Sequence, residues 1–239
     1  MKRGPRILSC LALLLLPFSL AAAPQPAKPP TPPKLVAIRA GRLIDGRGGA
    51  PMRDAVILLA GDRITAVGPG LPIPADAEVI DLSGKTVLPG LIDCHTHITQ
   101  QSGDYYEGIF RRSPIDLAVV AHVYARRTLE AGFTTVRDVG SSELIDVALR
   151  NAIDRGDVLG PRMQVATLAV GATGGHNDLS GFSPYLHFDR LSGIADGPAE
   201  IRKLVRFEVK NGADLIKVMA TAGVLSEEAS VGAPQYSQE

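Results

Sequence analysis

The pattern of apolar residues changes at Pro89-Gly90, and this change constrains the fold more than any other feature of the chain. After it, short apolar or β-branched stretches alternate with helical periods of ten to eighteen residues. This alternation predicts βαβ units and a parallel sheet, so we expect an α/β fold over residues 89–239. The predicted strands are 91–94, 134–138, 163–168 and 215–219, and the predicted helices are 114–131, 142–155 and 198–211.

Residues 35–88 follow a different pattern, in which short alternating apolar stretches are interrupted by Gly and Asp. Such stretches predict β-strands joined by turns, and Gly61-Asp62 is the predicted turn of a hairpin. The segment is therefore interpreted as a small β-module that precedes the α/β region.

The first 34 residues are typical of export and of a linker. Three basic residues precede an apolar run at 7–20, and small residues follow it, so residues 1–23 are predicted to be a signal peptide. The run is too short to span a bilayer comfortably, so no stable membrane span is expected after cleavage. Residues 24–34 are rich in proline and are predicted to be an extended linker. We expect the mature protein to be periplasmic or secreted.

The charge balance bears on the binding partners of the protein, and the cysteine content bears on disulfides. The 25 Lys and Arg residues balance 25 Asp and Glu residues, and no basic stripe is present, which argues against a nucleic-acid partner. Cys10 lies in the predicted signal peptide, so the mature chain retains Cys94 alone and has no intramolecular disulfide. The sequence leaves the oligomeric state open, and a homo-oligomer is compatible with it.

The stretch PGLIDCHTH at residues 89–97 carries the strongest chemical signal. Side chains at positions i and i+2 of a strand project to the same face. His95 and His97 can therefore present two imidazoles to one metal ion at the end of the first predicted strand of the α/β region. The alternative is that both are polar loop histidines without a ligand.

This stretch, together with IRAGRLIDG at 38–46, resembles the amidohydrolase superfamily of metal-dependent hydrolases. The resemblance to its branch of imidazolonepropionase-like proteins and Xaa-Pro-type dipeptidases is carried by TTVRDVG (134–140), ATGGH (172–176), DLIKVMATAGVLS (214–226) and QYS (235–237). It implies a small β-sandwich followed by a (β/α)8 TIM barrel. Because a complete barrel takes roughly 250 residues, residues 89–239 are expected to hold strands one to four of an incomplete barrel.

The resemblance implies a binuclear metal site that includes Lys217. An ammonium group has no lone pair for a metal, whereas a neutral amine that adds CO2 becomes an anionic carbamate with two oxygens. The family carries such a group at the end of the fourth strand, where Lys217 is predicted to lie. His95, His97 and Lys217 are thus the expected ligands of two divalent ions, with Zn the best match and Mn or Co compatible. The alternative for Lys217 is an ordinary ion pair.

Two further residues are implied to contact substrate. His176 is expected near the substrate carboxylate, and Tyr236 is expected to donate a hydrogen bond to the terminal carboxylate. A structural loop histidine and a surface aromatic are the respective alternatives. Asp138 closes the second predicted strand of the α/β region and either orders the site as an acceptor or serves packing there. His122 and His187 are assigned no role.

The expected activity is metal-dependent hydrolysis of linear amide bonds, as in an exported dipeptidase acting on a small-molecule or dipeptide substrate. Hydrolysis of a cyclic or other small amide is the alternative within enzymes. A non-catalytic remnant or a half-barrel subunit is the alternative outside them. The remaining ligands and the general-base aspartate of the family are expected beyond Glu239, so the isolated chain is predicted to be inactive.

Overall fold

The computed structural model describes residues 32–100, 108, 110–187, 191–223 and 232–237. The described residues form two compact units, one of residues 32–43 with 50–87 and the other of residues 44–49 with those from 88 onward. The predicted signal peptide lies outside the described residues, as does most of the predicted linker. Within the described ranges, no helix is long and apolar enough to cross a membrane.

The first unit is a four-stranded sheet with the strand order β3-β2-β1-β4. Its strands are β1 (Leu35–Leu43), β2 (Met52–Ala60), β3 (Arg63–Pro69) and β4 (Glu78–Val87). β2 pairs antiparallel with β1 and β3, whereas β4 pairs parallel with β1. The predicted hairpin turn is confirmed, because Gly61 adopts a left-handed φ of 61° between β2 and β3.

The second unit is a mixed α/β fold built on parallel strands, as predicted. Its elements are β5 (Leu91–Thr96), α1 (Pro114–Glu130), β6 (Phe133–Asp138), α2 (Ile145–Asp154), β7 (Arg162–Val165), β8 (Ala169–Val170), α3 (Gly197–Lys210) and β9 (Lys217–Val218). β5, β6 and β7 form one parallel sheet in that order, and β8 and β9 form a parallel pair. The Asp214 amide donates to the Val165 carbonyl at 2.8 Å, which joins the segment before β9 to β7.

Helix signals in the sequence explain where α1 begins and what it buries. Ser113 caps the helix in a reciprocal capping box with Asp116, and Pro114 occupies the first turn. Ala121 and Ala125 then face the sheet, where they pack in one core with Val136 and Val165. The small alanine side chains let the helix lie close to the strands.

Two predicted elements of this unit are wrong in their extent. The strand predicted over 163–168 stops at Val165, because Thr167 adopts a φ of 63° and donates its amide to the buried Asp146 carboxylate at 2.8 Å. The helix predicted from 142 begins only at Ile145, because Glu143 and Leu144 are also left-handed, with φ of 53° and 59°. Left-handed residues other than glycine are uncommon, and no sequence pattern indicated them.

Among the described residues of the second unit, three acidic side chains are fully buried, namely Asp138, Asp146 and Glu208. Asp138 and Asp146 accept hydrogen bonds from backbone amides, whereas neither carboxylate oxygen of Glu208 has a partner among the described residues. Burial, and secondarily the charge of Asp146, raises the pKa of Glu208 to about 7. A carboxyl group buried without partners favours its neutral form.

We expect Glu208→Gln to stabilise the protein at pH 8 and to leave its stability unchanged near pH 4. Between the pKa of the unfolded chain and about 7, the folded protein keeps a proton on Glu208 that the unfolded chain has released. The contribution of neutral Glu208 to the stability of the parent is therefore complete below the unfolded pKa and is lost as the pH rises to about 7. The difference between the proteins should therefore grow to about 3 kcal/mol. Urea unfolding at a series of pH values measures it.

Glu130→Gln is the matched control, because Glu130 is exposed and pairs with Arg126 on the surface of α1. Its stability should stay within about 1 kcal/mol of the parent at every pH, as is usual for surface ion pairs. Equal pH dependence in the parent and in Glu208→Gln would contradict the assignment of a neutral, buried Glu208.

Candidate metal centre

The histidine pair lies at the carboxyl end of β5, the first strand of the parallel sheet. The rings of His95 and His97 have their centroids 5.6 Å apart, with an angle of 66° between their planes. Both residues are exposed. The i, i+2 spacing of the sequence thus brings the two imidazoles together, as expected for a strand.

The ring of His97 is fixed by a hydrogen bond to the next strand. Its Nδ1 lies 2.9 Å from the carbonyl oxygen of Gly140, so Nδ1 must carry the proton and donate it. The lone pair of the neutral ring then resides on Nε2. A histidine that donates one N–H to a backbone carbonyl and keeps the other nitrogen bare is prepared to bind a metal.

Gly140 permits this arrangement by its lack of a side chain. Its φ is 152°, and a Cβ placed there would lie 3.4 Å from Cε1 of His97. A larger residue would therefore combine an unfavourable backbone conformation with crowding of the ring. Gly140 is a site residue that the sequence analysis missed, although it closes the TTVRDVG stretch.

The electrostatic surroundings favour a neutral His95. Desolvation lowers its pKa, and the positive charge of Lys217 acts in the same direction, followed by His97 and Arg137. Lys217 begins β9, where it lies beside Ala169 in the register with β8. The fold thus brings Lys217 into electrostatic range of the histidine pair although 120 or more positions separate them in the chain.

The donors present fit a metal ion of the kind that imidazole prefers, such as Zn. Within the described ranges, no three side chains of His, Cys, Asp or Glu come together as a ligand group. The histidine pair supplies two nitrogen donors, and Lys217 becomes a further donor only after conversion to an anionic carbamate. The described residues therefore include two imidazoles suited to a metal site, but not a complete ligand group.

The two residues predicted to contact substrate, His176 and Tyr236, each contact another part of the second unit. The ring of His176 covers Gly223, where any side chain would clash with it, and Gln235 lies against Gly175 in the same way. The Tyr236 hydroxyl donates to the Ala195 carbonyl at 3.1 Å. Burial, and then the charge of Asp196, raises the pKa of Tyr236, so the phenol keeps its proton.

Tyr236 lines a cavity of about 570 Å³ together with Asp196, Arg202 and Gln235. The cavity opens beside the first turn of α3, which begins at Gly197. Its lining combines a cation, a carboxylate, an amide and a phenol. This surface offers both hydrogen-bond donors and acceptors to a small polar ligand.

The fold and the histidine pair define the class as an α/β protein with two neighbouring imidazoles, groups able to bind a metal, at the carboxyl end of its first parallel strand. Such placement at strand ends is typical of the active sites of α/β hydrolytic enzymes. The chain belongs to the amidohydrolase family, whose model matches residues 86–239. Members of this family are generally metal-dependent, in agreement with the donors described above.

The individual proteins that the chain resembles include hydrolases. Ochratoxinase of Aspergillus niger is 31% identical over 226 residues, which cover 86% of this chain and 46% of that protein. A crystal structure of an Xaa-Pro dipeptidase with methionine bound in its active site superposes with a TM-score of 0.78 at 36% identity, covering 86% of this chain and 52% of that one.

A prolidase crystallised with N-methylphosphonate-L-proline gives a TM-score of 0.76 at 30% identity, covering 85% of this chain and 51% of that one. The chain thus spans about half the length of the relatives that it matches. The family and its hydrolytic class follow from these matches together with the shared fold.

Proposed function

We propose that the intact protein is a metal-dependent hydrolase that cleaves the amide bond of dipeptides. The observation that carries the proposal is the hydrogen bond between His97 Nδ1 and the Gly140 carbonyl, because it leaves the Nε2 lone pair available beside His95. The similarity to the Xaa-Pro dipeptidase and to the prolidase supports dipeptides as the substrate class.

Three residues would hold the metal ions. His95 and His97 would bind one divalent ion as neutral imidazoles, and a carbamate on Lys217 would bind this ion and a second one. To form the carbamate, the Nζ lone pair of a neutral Lys217 attacks the carbon of CO2, an N–C bond forms, and one proton leaves to solvent. Zn suits this donor set best.

Bound ions of this type polarise a substrate carbonyl and make water a better nucleophile at neutral pH. The chain's own residues would orient the substrate relative to them. His176 and Tyr236 are proposed to donate hydrogen bonds to the carboxylate of the dipeptide. For this, the Tyr236 hydroxyl would turn its proton from the Ala195 carbonyl to the substrate.

The architecture of the whole protein is part of the proposal. Residues 35–88 would form part of a small β-sandwich, and residues 89–239 would form the first four βα units of a TIM barrel. The parallel order β5-β6-β7, followed by the parallel pair β8-β9, supports this assignment. In such barrels the active site lies at the carboxyl ends of the strands, which is where β5 presents its histidines.

Export is proposed on the sequence alone. The basic residues followed by the apolar run at 7–20 are typical of a signal peptide, and the proline-rich stretch at 24–34 is typical of a linker. Such a protein would act on its substrates in the periplasm or outside the cell.

A panel of substrates tests the proposed activity. The intact protein, stripped by a chelator and reloaded with Zn, Mn or Co, is offered Xaa-Pro dipeptides, other dipeptides and cyclic amides. We expect dipeptide hydrolysis that is lost on chelation and restored by one of the metals. The release of free amino acid, followed by chromatography, measures it.

The panel separates the alternatives by outcome. Turnover of cyclic amides alone would replace the dipeptidase proposal by a cyclic amidase. No turnover of any amide with any of the three metals would overturn the enzyme proposal. In that case, a defined complex in gel filtration would favour a non-catalytic subunit.

A further inference from the structure

Asp138 contacts the residues on both sides of His97. Its Oδ1 accepts the Ile98 amide proton at 2.9 Å and lies 3.3 Å from the Thr96 hydroxyl, which is equally far from the Arg137 carbonyl oxygen. The carboxylate comes from the end of β6, the strand adjacent to β5. One oxygen atom therefore connects the residues immediately before and after His97 to the neighbouring strand.

Val139 and Gly140, which follow Asp138, also contact Thr96 and His97. The Val139 amide donates to the Thr96 carbonyl at 2.9 Å, and the Gly140 carbonyl accepts from the His97 ring. All of these contacts originate within residues 138–140. The position of this short segment thus determines both the backbone and the ring of His97.

Because Asp138 and Ile98 are buried, the hydrogen bond between them is not easily replaced. The Asp138 side chain is fully buried, and Ile98, whose amide lies beyond the last ladder pair of β5, is buried as well, with 6% of its surface exposed. A buried amide without an acceptor is unfavourable. Ser or Ala at 138 would leave the Ile98 amide without this partner.

We propose that Asp138 is a positioning residue for the histidine pair, which acts by holding the Ile98 amide and the Thr96 hydroxyl so that the His97 ring donates to Gly140 and keeps Nε2 bare. Asp138 does not contact the metal or the substrate in this role. The role of Asp138 in metal binding rests on the proposed function, whereas its role in fixing the His97 ring does not.

Two measurements on the intact protein test this role. The first is the 15N chemical shift of the His97 ring in metal-free protein above pH 7.5, which reports the nitrogen that carries the proton. The second is the affinity for Co²⁺, followed by its visible absorption. Both are made on the parent, Asp138→Ala, Asp138→Asn and the control Asp146→Ala.

Asp146 provides a matched control because it is equally buried and also accepts a backbone amide, but that amide belongs to Thr167. We expect Asp138→Ala to lose the fixed Nδ1–H form of His97 and to weaken Co²⁺ binding about 10- to 100-fold, the usual cost of removing a residue that orients a ligand. Asp146→Ala should retain both properties. Asp138→Asn should also retain them, because its amide oxygen can accept the same two bonds.

Parent-like values of both quantities in Asp138→Ala would overturn the inference, and so would equal losses in Asp146→Ala. If Asp138→Ala does not fold, Asp138→Ser replaces it, because the hydroxyl is one bond too short to reach Ile98. If the parent binds no Co²⁺, the proposed function fails, whereas the ring tautomer still decides the role of Asp138. The two failures are therefore distinguishable.

Discussion

His97→Ala in the intact protein is expected to lose amide hydrolysis and most of its bound metal. The substitution removes one of the two imidazole donors at the end of β5, together with the hydrogen bond from its ring to the Gly140 carbonyl. Metal affinity should fall by roughly 100-fold or more, since loss of a residue that only orients a ligand already costs 10- to 100-fold. Metal analysis after dialysis and a dipeptide assay measure the two effects.

His122→Ala is the control for this substitution, because His122 is an exposed histidine of α1. It should keep the metal content and the activity of the parent. Full metal content and full activity in His97→Ala would show that the histidine pair is not the metal centre.

Lys217→Ala is expected to abolish activity for a different reason, namely the loss of the group that would bridge two ions. A carbamate carries a negative charge and two oxygens, neither of which alanine supplies. Activity should fall by roughly 100-fold or more, as for other metal-site residues. Lys217→Glu should regain part of the activity, because it supplies a carboxylate without requiring CO2.

Recovery of activity with and without a source of CO2 tests the carbamate more directly. The parent, stripped of metal and reloaded in CO2-free buffer, should recover activity only after bicarbonate is added, whereas Lys217→Glu should not depend on it. Lys203→Ala, an exposed lysine of α3, should behave as the parent. Equal recovery of the parent with and without bicarbonate would contradict the carbamate.

The sequence predicted the parallel α/β fold because βαβ units leave a strong periodic signal. It also indicated the histidine pair, since an i, i+2 spacing on a strand is a local relation. The proximity of Lys217 to His95 could be inferred only through the family resemblance, because it depends on how β8 and β9 pair.

The hydrogen bonds that support His97 could be predicted only in part, because they join different strands. The sequence offered Asp138 either as an acceptor that orders the site or as a packing residue, and it gave no indication of Gly140. Both residues are more than 40 positions from His97 in the chain. The left-handed Thr167 that ends β7 belongs to the same category. Its conformation follows from a hydrogen bond to Asp146, a tertiary contact that overrides the strand propensity of the surrounding residues.

The central claim is that His95, His97 and Lys217 bind divalent metal ions, and anomalous diffraction at the Zn absorption edge tests it most directly. Crystals of the intact protein grown with Zn should show two anomalous peaks, one of them about 2.0–2.1 Å from a nitrogen of each histidine. Electron density should extend from Lys217 Nζ to a position between the two peaks. Well-ordered histidine rings with no anomalous peak at bonding distance would contradict the account.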